Sequence, residues 1–86
     1  MSVETGVREV VVEYFSVFRD ERGVSSESVT TQCRTLGELY KELAEAFGLR
    51  YDPESVGVAR NDEFASWDTP IENGDRVVFL APFGGG

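Results

Sequence analysis

The stretch "TLGELYKELAEAFG", Thr35 to Gly48, decides how this 86-residue chain is read. Leu36, Leu39, Tyr40, Leu43 and Phe47 recur at the i, i+3, i+4, i+7 spacing that gathers side chains on one face of an α-helix. Thr35 followed by Glu38 makes a capping box, in which each side chain satisfies a backbone N–H left without a partner at the helix start. Gly48 suits the left-handed cap at the other end, because a residue without Cβ takes positive φ at no steric cost. One amphipathic helix of this length must lay its apolar stripe on something else.

The flanking segments supply strands. Upstream, "EVVVEYFS" (Glu9 to Ser16) is short, rich in β-branched and aromatic residues, and apolar at nearly every position. That pattern predicts a strand buried on both faces, in the interior of a sheet. "VFRDERGV" (Val17 to Val24) predicts a short helical turn or loop. "SESVTTQC" (Ser26 to Cys33) alternates, placing Val29, Thr31 and Cys33 on one side, and Gly23 supplies the break between them.

Downstream, "LRYDPES" reads as loop, and "VGVAR" (Val56 to Arg60) as a short strand turned by "NDE" into "FASW", with an irregular extended segment as the alternative. "DTPIENGDRVVFLAP" contains a proline, an Asn-Gly turn signal and a strand from Arg76 to Ala81. Two strands, a helix, then further strands predict an α+β fold with the helix packed across one face of a mixed sheet. That is the β-grasp, or ubiquitin-like, architecture. Residues 1–8 are polar and aperiodic and read as a mobile N-terminus. Residues 9–82 form the domain, and residues 83–86 a flexible tail.

Composition narrows the chemistry. Sixteen acidic residues against eight basic ones give a net charge of -8. This repels polyphosphate backbones and anionic membranes and suits a protein partner with a basic face. No apolar run approaches the roughly 20 residues of a membrane span, and no signal peptide opens the chain, so a cytoplasmic location is expected. Cys33 is the single cysteine and there is no histidine. Ser-His-Asp and Cys-His nucleophile arrangements, an internal disulfide and cysteine-rich metal sites are therefore excluded.

Among single residues, Cys33 reads as a small core residue, and Trp67 and Phe64 as packing at the edge of the core rather than as a ligand site. The acidic clusters at Asp52 and Asp62 lack the ligand spacing of a calcium loop and read as solvated turns.

The segment from Ala59 onward, "ARNDEFASWDTPIENGDRVVFLAPFGGG", resembles the C-terminal half of the prokaryotic ubiquitin-like sulfur carriers, in particular the small subunit of molybdopterin synthase. Asp68, Pro70, Ile71, Gly74, Asp75, Val77, Phe79, Pro82, Gly85 and Gly86 occupy the family's pattern. Ala81 replaces the first proline of a common pair, Phe83 stands where a smaller aliphatic is frequent, and Gly84 adds a third glycine. The first strand, its helical turn and the capped helix agree more loosely, so the likeness spans residues 9–86.

The resemblance implies a reagent rather than a self-sufficient enzyme. The carboxylate of Gly86 would be adenylated with ATP by an E1-like partner. A persulfide sulfurtransferase would then supply sulfur, turning it into a thiocarboxylate. The carrier itself would bind no cofactor or metal. Gly84 and Gly85 would thread a channel too narrow for side chains. Pro82 and Phe83 are assigned to docking, and Phe18 to the same patch by fold analogy, with core packing as its alternative. The large subunit of molybdopterin synthase is the expected recipient. The alternatives are carriers for thiamin, cysteine or a thio-metabolite, and a modifier conjugated to proteins.

Overall fold

In a computed structural model, residues 6–49 and 52–80 are described. Along them run β1 (Arg8–Tyr14), α1 (Ser16–Arg22), β2 (Ser26–Thr31), α2 (Leu36–Phe47), a 3-10 turn (Pro53–Ser55), β3 (Gly57–Arg60), β4 (Glu63–Ala65) and β5 (Arg76–Leu80). The strands form one sheet in the order β2-β1-β5-β3-β4. β1 and β5 are parallel, with Val11 opposite Arg76 and Tyr14 opposite Phe79. The other pairs are antiparallel. The first and last strands are thus neighbours at the centre of a mixed sheet, and α2 lies within the long crossover that a parallel pair requires.

β1 is interior to the sheet, as its composition predicts, but it is not buried on both faces. Val10, Val12 and Tyr14 are buried whereas Val11 faces outward. The reason is stoichiometric: one helix covers one face, and the other remains open. The apolar density of "VVV" cannot by itself distinguish these cases.

On α2, Leu36, Leu39, Tyr40 and Leu43 are buried as the spacing predicts. Phe47 is not; it lies at the last turn, largely exposed, with the Arg22 guanidinium 3.7 Å above its ring. Phe18, Tyr40 and Phe79 form an edge-to-face cluster at the heart of the core, with centroids 5.0–6.3 Å apart. Trp67 closes one side of it, half-buried against Tyr40 at 5.4 Å.

Both helix ends follow from local chemistry. Thr35 Oγ1 accepts the Glu38 N–H at 3.2 Å, and Gly48 takes φ 71° while its N–H donates to the Ala44 carbonyl. The reciprocal arm of the capping box is displaced by one residue, because the Glu38 carboxylate accepts the Arg34 N–H at 2.8 Å. The next orphan donors are met by chain from far away in sequence. Leu36 and Gly37 donate to the carbonyls of Thr69 and Trp67 at 3.0 and 2.9 Å. The segment before β5 is therefore tied to the start of α2, a role that its sequence does not announce.

Candidate functional site

Of the residues singled out from sequence, Pro82, Phe83, Gly84, Gly85 and Gly86 lie outside the described residues. What the structure does define is the place from which they depart. β5 is the middle strand of five and ends at Leu80. Because β1 runs parallel to it, β1 ends at the same side of the sheet, and continuing the register beyond Tyr14–Phe79 sets Phe15 beside Leu80. On the other flank, Gly57 of β3 pairs with Leu80.

Phe18 is corrected by the structure. Its side chain is 0% exposed, packed against Tyr40 and Phe79, so it is a core residue and contributes no docking surface. The exposed aromatic of that region is Phe15, 51% exposed, whose extended backbone continues the alternation of β1. Strand parity could have found it: Val10, Val12 and Tyr14 point inward, so Phe15 points outward.

Phe64 also departs from the sequence expectation. It is 85% exposed, on the outer face of edge strand β4 opposite Ala59, and not at the rim of the core. Ala65 takes the inward position instead. Together Phe15, Ala59, Phe64, Val78 and Leu80 make an apolar strip across the open face of the sheet, at and beside the outlet of β5, and the Glu13–Arg76 ion pair separates it from Val11.

The start of β5 is fixed by a polar clamp. The buried Asp75 carboxylate accepts from Arg60 Nε at 2.6 Å, Asn61 Nδ2 at 3.0 Å and the Glu72 N–H at 2.8 Å. Burial acts to raise the pKa of this carboxyl, but Arg60, the Glu72 N–H and Asn61 outweigh it and hold it below the usual carboxylate range. Asn61 Oδ1 in turn accepts the Arg76 N–H at 2.9 Å. Asn61 and Asp62 take φ 53° and 74°, the two positive values of a tight hairpin turn between β3 and β4, and Asp62 pairs with Arg76. Asn73 Oδ1 accepts the Glu9 N–H at 2.8 Å, which seats the Asn-Gly turn on the start of β1. The residues that resemble the family's pattern around Asp75 thus hold β5 in place.

Cys33 is half-buried against the core, with its thiol 3.2 Å from Glu42 Oε1. Burial pushes the thiol up, and the carboxylates of Glu42 and Glu38 push the same way against a hydrogen bond with Thr31. A thiol kept protonated in this way is a poor nucleophile. No helix among the described residues is long and apolar enough to cross a membrane.

The architecture places the chain in the class of β-grasp, ubiquitin-like domains. The ThiS family matches residues 12–86, and the chain belongs to that family of ubiquitin-fold sulfur carriers. No curated protein matches the chain by sequence. Among solved structures it is similar to a Pyrococcus furiosus protein assigned as molybdopterin converting factor subunit 1, at 27% identity and a TM-score of 0.72, covering 87% of this chain and 98% of that one. It is similar at 28% identity to a molybdopterin-converting-factor subunit from Helicobacter pylori, solved as a complex of subunits 1 and 2 (TM-score 0.61; 91% and 99% covered). SAMP1 of Haloferax volcanii shares the fold at 22% identity and a TM-score of 0.71, over 91% and 99% of the two chains.

Proposed function

We propose that this protein carries sulfur on the C-terminal carboxylate of Gly86 and serves as the small subunit of a molybdopterin synthase. An adenylating partner uses ATP to convert the carboxylate into an acyl-adenylate, releasing pyrophosphate. A persulfide sulfur attacks the carbonyl and AMP departs. A thiol then cleaves the remaining sulfur–sulfur bond, leaving a thiocarboxylate, a soft anionic nucleophile that the tail presents to a precursor bound in the large subunit. The chain is a reagent in this scheme, and the catalytic side chains belong to its partners.

The observation that carries the reading is that the ThiS-family match runs through Gly86, six residues beyond the end of the central strand. The apolar strip beside that outlet supports it, since a partner that takes the tail also meets Phe15, Leu80 and Phe64. Gly84 and Gly85 offer no side chain to obstruct passage into a narrow site. Phe83 and Pro82 belong to the same docking contact.

Intact-mass measurement tests the scheme. Incubation with ATP, an adenylating enzyme and a persulfide donor should produce the mass gain of one oxygen-to-sulfur exchange, located at Gly86 by fragmentation. No exchange with any cognate activating enzyme defeats the carrier reading. Exchange without sulfur transfer to a molybdopterin precursor, in the presence of the large subunit, redirects the thiocarboxylate to thiamin, cysteine or a thio-metabolite. Isopeptide-linked adducts in cells would instead identify a protein modifier.

A further inference from the structure

Three of the six arginines that the structure describes are ion-paired within the fold. Arg22 pairs with Glu27, Arg60 with Asp75 and Glu72, and Arg76 with Glu13 and Asp62. Arg8 and Arg34 differ. Neither has an ion pair among the described residues, and both line one open cavity of about 550 Å3 together with Gly6 and Gln32. It lies where the start of β1 meets the end of β2 and the approach to α2, the end of β1 remote from the outlet of β5.

Both residues are held by the backbone around them while their charge is left unused. Arg8 Nη1 donates to the carbonyls of Gly6 at 2.8 Å and Cys33 at 3.4 Å, which sets the guanidinium, and among the described residues Nε and Nη2 have no partner. At Arg34 the N–H donates to Glu38 Oε1 and the carbonyl accepts the Ile71 N–H at 2.9 Å. The backbone there is fixed, and the side chain makes no hydrogen bond among the described residues. The carboxylates that follow Arg34 along α2 are engaged elsewhere. Glu38 takes the Arg34 N–H, and Glu42 accepts from Thr31 Oγ1 at 2.7 Å and from Cys33 Sγ.

We propose that this cavity is a binding site for a diphosphate group. Guanidinium presents a planar fork that matches phosphate oxygens two at a time, and here two forks from different segments border one space. The volume falls in the range of small-molecule sites and exceeds what a single phosphate fills. The net charge of -8 opposes long polyanions at a distance, so the site suits a short ligand. Free diphosphate and a nucleoside diphosphate share this chemistry. The cavity lies at the end of β1 remote from Leu80, and the proposal does not depend on the sulfur-carrier reading.

Titration of the full chain with inorganic pyrophosphate at constant ionic strength, followed by amide chemical shifts, tests it. Saturable shifts at Arg8, Gln32 and Arg34 are expected, with weaker binding of monophosphate. R34Q should weaken pyrophosphate binding about tenfold or more, with R34K restoring part of the loss. Because the Arg34 side chain makes no hydrogen bond or ion pair among the described residues, R34Q should keep the remaining spectrum and the unfolding midpoint. In a parallel arm, tighter binding of ADP identifies a nucleoside diphosphate as the ligand, and equal or weaker binding identifies the free diphosphate. Shifts that grow linearly without saturation, that sulfate or chloride reproduce at equal ionic strength, or that survive unchanged in R34Q overturn the proposal.

Discussion

At the scale of single residues, position in the fold decides role more than residue type does. Phe15 and Phe18 are three residues apart, yet one is half-exposed beside the end of β5 and the other is the centre of the core. Phe18→Ala should cost about 3–5 kcal/mol of stability in a urea unfolding curve, because it removes a fully buried ring from an edge-to-face cluster. Asp75 is a second test. Its carboxyl titrates lower in the folded protein than in the unfolded chain, so its contribution is present above the ordinary carboxylate range and is lost as pH falls through the folded value. Asp75→Asn should therefore destabilise by about 1–3 kcal/mol at neutral pH and flatten the fall of the urea midpoint below about pH 4. Cys33, pushed up by burial, should react with a thiol reagent at mildly alkaline pH roughly tenfold or more slowly in the folded chain than in urea.

At the scale of elements, the start of α2 is the joint of the fold. It is capped by its own Thr35, and its Leu36 and Gly37 N–H groups donate to the Thr69 and Trp67 carbonyls, so the helix and the chain leading into β5 are ordered together. Thr35→Ala should cost about 1 kcal/mol by thermal or urea unfolding, with the Thr69 and Trp67 contacts still in place. Across the molecule, the open face of the sheet carries the other elemental property. Phe15→Asp and Phe64→Asp should change the unfolding free energy by no more than about 0.5 kcal/mol, since neither ring is in the core. Both should weaken association with the adenylating partner in a calorimetric titration. If binding is unaffected while the fold is intact, the apolar strip is not the docking face.

At the scale of the whole molecule, the parallel pairing of β1 with β5 brings the first aromatic outlier of the sequence to the exit of its last strand. The excess of acidic residues acts at longer range: association with a basic partner face should slow as ionic strength rises, by stopped-flow measurement. The sequence by itself determined the local structure and the family. The helix from Leu36 to Phe47, its caps at Thr35 and Gly48, the order of strands and the family pattern from Asp68 to Gly86 all rest on near neighbours, whose spacing is visible in a linear chain. Only the tertiary structure decided which face of β1 meets solvent, that Phe18 is inside while Phe15 and Phe64 are outside, and that the loop at Trp67 caps α2. These depend on there being one helix to cover two sheet faces, and on register between strands remote in sequence, and neither is encoded in the periodicity of any one segment.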